Sequence, residues 1–204
     1  MSVNWKLFPI VTSKNVYGGV NEKIIDVIGE VYYKDRQLVA HAEVVKTCGI
    51  KILHHHTFGP AKDAREIDLL IKLVRKLTSP PENRRLSEIG VLCFTHGYIP
   101  LLHQAFQGSG VYTGYYDAFH GIQKEILIIW GGFSAFRESG LSMNLTTFMI
   151  TRGTQMVYIL GNTQDMVNMK NNGVKWKTLL HIVCLYNTFT YLIVYCKLNH
   201  CITL

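Results

Sequence analysis

No Gly-x-x-x-x-Gly-Lys-Ser/Thr segment occurs anywhere in the chain. It therefore lacks the run of backbone amides and the lysine that a phosphate-binding loop folds around the β and γ phosphates. No acidic pair closes an apolar strand, where Mg²⁺ would be held. Together these absences exclude a self-contained P-loop enzyme. Cysteine is equally informative. Cys48, Cys93, Cys184, Cys196 and Cys201 are odd in number, widely spaced and without a Cys-x-x-Cys pair. That excludes a disulfide framework and points to a reducing, intracellular compartment. Met1 to Ile10 has one lysine and no long apolar core, which is not the pattern of a secretory signal. The longest apolar stretch, Leu179 to Cys196, is interrupted by His181, Asn187, Thr188 and Thr190. Unpaired polar groups are costly in lipid, so no membrane span is expected.

Metal-ligating patterns are also thin. His54-His55-His56 could share at most one ion between two side chains, because adjacent residues point different ways. Cys48 and Asp63 stand at no ligand spacing from them, and Cys196-x-x-x-His200-Cys201 has no fourth partner. No metal site is expected.

What the chain does have is apolar residues in alternating periods. Hydrophobic residues make up 48% and charged residues 17% of the 204, which suits a globular domain with appendages. Lys plus Arg outnumber Asp plus Glu by 21 to 14, a net charge of +7 that is compatible with a polyanionic partner. Ile67, Leu70, Ile71, Val74 and Leu77 repeat at helical spacing within Ala61 to Leu77, with Arg75 and Lys76 where the helix dipole favours cations. Ile89 to Phe94 is a short continuous apolar run and predicts a buried parallel strand. Further strands are predicted at Val111–Tyr116, Ile126–Trp130 and Met156–Leu160, with helices carrying Leu101, Leu102, Ala105 and Phe106, over Leu141–Ile150 and over Lys175–Tyr186. Upstream, the β-branched pieces Ile24–Val31 and Leu38–Val45 predict two short strands.

Strands alternating with helices imply an α/β fold with a mostly parallel sheet flanked by helices. Residues 1–60 then form a leading segment of loops and short strands, 61–186 the main domain, and 187–204 an apolar tail. In such sheets ligands gather at the carboxyl ends of strands. Tyr116 to Gly121 and Gly161-Asn162 are expected there. Arg152, at the end of a predicted helix, could reach a phosphate bidentately or make an ordinary surface ion pair. Asp117 and Gly121 frame a loop that either approaches a ligand or simply connects two strands.

Residues 111–162 resemble the second RecA-like domain of superfamily 1 nucleic-acid helicases, in the group of the up-frameshift helicase of nonsense-mediated decay and senataxin. That family carries Val-Asp-Ala-Phe-Gln-Gly-Arg-Glu-Lys-Asp before an apolar strand, where this chain has Tyr116-Asp117-Ala118-Phe119-His120-Gly121-Ile122-Gln123-Lys124-Glu125. Its Asn-Val-Ala-Leu-Thr-Arg-Ala matches Thr147-Phe148-Met149-Ile150-Thr151-Arg152-Gly153, and its strand ending in Gly-Asn matches Val157 to Asn162. Ile89 to Leu92, Tyr17-Gly18-Gly19, Ala64 to Leu77, Trp176 and Leu179 extend the similarity over most of residues 8–186.

The resemblance implies a RecA-like fold without its own P-loop. It implies that ATP and Mg²⁺ bind in the intact enzyme, between this domain and a first RecA-like domain. It implies that Arg152 is the arginine that reaches the γ-phosphate. Gly121 and Gln123 would approach the nucleotide's sugar and phosphates, and Asp117 would couple the nucleotide to the groove for single-stranded RNA or DNA. Four departures stand out: His120 for Gln, Ile122 for Arg, Gln123 for Glu, and Asn144-Leu145 for an Arg-Arg pair. Losing an Arg removes a bidentate anion contact that a neutral side chain does not replace. The expectation is a helicase C-terminal domain that is inactive alone. The alternative is a catalytically dead module that binds nucleic acid or a protein.

Overall fold

The computed structural model describes residues 15–18, 20–33, 38–41, 49–54, 62–130, 142–170 and 173–186. The expectations for His55, His56, Cys48, Cys196, His200, Cys201 and the tail 187–204 fall outside them.

Chain order is β1 (Asn15–Gly18), α1 (Glu22–Tyr32), β2 (Leu38–His41), β3 (Gly49–His54), α2 (Lys62–Thr78), β4 (Ile89–Cys93), α3 (Ile99–Phe106), β5 (Tyr112–Tyr115), β6 (Lys124–Trp130), α4 (Met143–Ile150), β7 (Gly153–Gly161), α5 (Thr163–Val167) and α6 (Gly173–Tyr186). Five strands form one sheet in the order β3-β7-β6-β4-β5, and every pairing in it is parallel. Strands β1 and β2 form a separate parallel pair. This is the α/β arrangement anticipated from the alternating pattern.

Side chains alternate along a strand, so each strand serves two cores. Leu92, Leu127, Ile129, Val157 and Ile159 face one layer, with α1, α4 and α6 packed over them through Ile24, Ile28, Met149, Ile150, Trp176 and Leu179. Val91, Ile126, Ile128, Trp130 and Leu160 face the other, under Leu70, Val74 and Leu77 of α2 and Leu102 and Phe106 of α3. Burial on both faces is why β4 reads as an unbroken apolar run: all five of its residues are buried. The one polar atom of Trp130 is satisfied, since Nε1 donates to Oε2 of buried Glu66 at 2.9 Å.

The leading segment differs from expectation. Ile24–Val31 is helix, not strand. Its β-branched residues suggest a strand, but Ile24, Ile25, Ile28, Val31 and Tyr32 fall on one helical face and are buried. Asn21 starts the helix, its Oδ1 accepting from the Lys23 amide at 2.9 Å. Burial of that face decides the conformation over local propensity. Leu38–His41 is a strand, as anticipated, and the rest of that piece, 42–45, lies outside the described residues.

One connection positions the site. β5 ends at Tyr115, level with Cys93 and Trp130 at the carboxyl ends of their strands. β6 then begins at Lys124, at the opposite end of the sheet. Residues 116–123 therefore run back along the sheet face, and Phe119 is fully buried there. Glycines make the room. A Cβ on Gly90 would lie 3.0 Å from Phe119 Cε1, and one on Gly114 would lie 2.9 Å from Ala118 Cβ.

Candidate nucleotide-facing site

Arg152 and Gln123 meet at the amino ends of β6 and β7, with Gly121 two residues before Gln123, and not at the carboxyl ends that the general rule for α/β sheets suggests. The reason is the back-running connection, which carries Gly121 and Gln123 away from the end of β5 to the start of β6. Arg152 stands between α4 and β7, and its carbonyl accepts from the Lys124 amide at 2.9 Å. That bond fixes the two strand starts side by side.

Arg152 is held by the turn that ends α4. Its amide donates to the Met149 carbonyl at 3.1 Å. Nε donates to the Phe148 carbonyl at 3.3 Å, and an Nη donates to Thr151 Oγ1 at 3.2 Å. The guanidinium lies over the Phe148 ring, 4.8 Å from its centroid. Thr151 Oγ1 in turn donates to the Phe148 carbonyl at 2.9 Å. A long flexible side chain is thus fixed by the Phe148 ring and carbonyl and the Thr151 hydroxyl. Ordering it in advance lowers the entropy to be lost when it meets an anion.

Gln123 reaches the same turn. Its exposed side chain donates through Nε2 to the Thr151 carbonyl at 3.1 Å. Gly121 is exposed with φ +74°, a left-handed conformation that favours glycine, and a Cβ there would meet nothing within 4 Å. Asp117 lies one turn earlier, exposed in the short helical turn Tyr116–Phe119. Its carbonyl faces the His120 ring, with Nδ1 at 2.8 Å. The Arg152, Gln123 and Gly121 neighbourhood is therefore one cluster, and Asp117 is linked to it through main chain and His120.

Two members were not anticipated. The His120 ring lies 4.7 Å from the Phe148 ring, tilted by 31°. Phe148 thus touches both His120 and Arg152. In sequence Phe148 is one aromatic in an apolar helix, a pattern that signals core packing.

Chemically, the cluster offers a guanidinium, a carboxamide and an open glycine backbone. That donor set fits an anionic phosphate. It does not fit a metal: among the described residues no group of three His, Cys, Asp or Glu side chains could hold one. His54 is occupied otherwise. Its Nδ1 lies 3.1 Å from the Thr163 amide, which donates to it, and 2.9 Å from Thr163 Oγ1. Among the described residues no helix is long and apolar enough to cross a membrane.

No family model matches the chain. An uncharacterized ATP-dependent helicase of Caenorhabditis elegans is 23% identical over 185 residues, covering 81% of this chain and 12% of the helicase. The chain thus spans a small part of that relative's length. The C-terminal domain of a possible DNA helicase from Lactobacillus plantarum aligns in structure at a TM-score of 0.46 and 9% identity, over 74% of this chain and 88% of that one. The likeness in sequence is to a segment of an ATP-dependent helicase.

Proposed function

We propose that this chain is the second RecA-like domain of an ATP-dependent helicase of the up-frameshift and senataxin group, working with a first RecA-like domain that supplies the phosphate-binding loop. The observation that carries this reading is the meeting of Arg152, Gln123 and Gly121 at one end of the sheet, in the order of the helicase motifs. Residues 61–186 hold those motifs. The segment before them adds α1 and β3 to the fold. The reading places the protein inside the cell, in cytoplasm or nucleus.

In this reading ATP, with Mg²⁺ held by the first domain, lies between the two domains. Arg152 reaches the γ-phosphate and stabilises the charge that spreads over its oxygens during transfer. Gln123 and the Gly121 backbone border the sugar and phosphates. Single-stranded RNA or DNA runs in the groove beside the Asp117 turn, its backbone met by Lys and Arg side chains.

The chain alone is expected to show no ATPase activity. Joined to a first RecA-like domain it is expected to show nucleic-acid-stimulated hydrolysis that falls about 10³-fold or more on Arg152→Ala. Hydrolysis by the chain alone, abolished by Arg152→Ala, would overturn the proposal. A second reading, a catalytically dead interaction module, draws on Ile122 and Gln123, which replace the family's Arg and Glu. A reading frame upstream encoding Gly-Lys-Thr/Ser and an Asp-Glu pair favours the helicase; its absence favours the module.

A further inference from the structure

The carboxyl end of the sheet, opposite Arg152, carries a cluster of rings that the reading above leaves without a role. His96 stacks on Tyr115 with centroids 3.6 Å apart and planes 26° from parallel. Tyr116 follows, 4.3 Å from Tyr115 and tilted by 45°. His96 is exposed, and both tyrosines are only partly buried. The rings are not loose. Tyr115 is the last residue of β5 and pairs in register with Cys93 of β4. His96 opens a short helical turn whose Tyr98 packs on buried Trp130, with centroids 5.3 Å apart. At the base, Thr95 Oγ1 is shielded from solvent with no hydrogen-bond partner among the described residues.

We propose that His96, Tyr115 and Tyr116 form a stacking platform for an unpaired nucleobase. The proposal rests on the nucleic-acid reading above and adds to it the binding residues and their chemistry. His96 and Tyr115 cover each other's facing sides at 3.6 Å, which leaves the outer side of exposed His96 for a base to stack on. Every base has a π face, so such a platform takes single strands with little regard to sequence. Position agrees too. The base would contact the first residues of the segment whose far end holds Gly121 and Gln123.

The test is binding of the full chain to a short single-stranded oligonucleotide carrying 2-aminopurine, followed by fluorescence quenching and by titration over a range of salt. Quenching on binding is expected. His96→Ala, an exposed change that leaves folding intact, and Tyr115→Ala are each expected to weaken binding about tenfold. Tyr115→Phe, which keeps the ring, is expected to stay within about twofold, and the salt slope is expected to change in none of the three, because stacking releases no counterions. Binding that is unaffected by His96→Ala and Tyr115→Ala overturns the platform and leaves the helicase reading standing. No binding by the unaltered chain, even at low salt, overturns both the platform and the single-strand grip.

Discussion

The two ends of the sheet are built differently. At the amino end, Arg152 and Gln123 are fixed by hydrogen bonds to carbonyls and a hydroxyl of a single turn. At the carboxyl end, His96, Tyr115 and Tyr116 are fixed by ring contacts and by the ends of two strands. A charged group that must meet charge benefits from a polar frame that orders it. Rings that meet flat, apolar surfaces need only a rigid edge. One connection, 116–123, serves both ends, so changes to it, and changes confined to either end, separate the two designs.

The largest expected effect comes from Phe119, the buried midpoint of that connection. Phe119→Ala is expected to cost about 3–5 kcal/mol of stability, read as a lower denaturant midpoint, and to disturb both ends together. An intact midpoint with only one end affected would break the comparison. Next is alkaline pH, which acts on the carboxyl end. Burial pushes the Cys93 thiol from 9.0 up to about 11. Because the folded state then holds its proton longer than the unfolded chain, stability is full below about pH 9. It falls by about 1.4 kcal/mol per pH unit as pH rises toward 11, and Cys93→Ala should flatten that slope in thermal unfolding curves. Gly114→Ala follows, at about 1–3 kcal/mol, since its Cβ would press on Ala118. Gly121→Ala is smaller, about 1–2 kcal/mol, because only backbone strain opposes it. Arg152→Ala is smallest for folding, within about 1 kcal/mol by thermal melt, whereas the proposed function expects of it the largest loss of hydrolysis once a first domain is joined. A folding loss well above that would make Arg152 a structural residue instead.

Much of this was legible in the residues. The strands β4, β6 and β7 announce themselves because burial on both faces leaves no polar alternation. Helix α2 shows because one face repeats at helical spacing. Helix α1 was missed because Ile24, Ile25, Ile28 and Val31 carry β-branched side chains whose local preference opposes the packing that wins. The sequence names Gly121, Gln123 and Arg152 as candidates in chain order, yet it places Gly121 at the carboxyl ends of the strands, where the structure does not. The rule that ligands sit at carboxyl ends presumes connections that leave a strand and cross as helices. Residues 116–123 instead double back in extended and turn conformations, and nothing in their composition signals direction except the pair Gly90 and Gly114, far apart in sequence. The contact of Phe148 with Arg152 and His120 was likewise invisible, since Phe148 and His120 stand 28 positions apart. The Tyr115-Tyr116 pair was in plain view, but its partner His96 lies on another strand's end.

The doubled-back connection has a thermodynamic corollary. Its eight residues begin among the rings and finish at Gln123, pinned midway by Phe119 between two glycines. A ligand that shifts Tyr116 therefore works against the same segment that presents Gly121, and any coupling between the two ends is reciprocal: the factor by which one occupant alters the other's affinity is the same in both directions. Enlarging the side chain at position 90 or 114 would change that factor without touching either ligand.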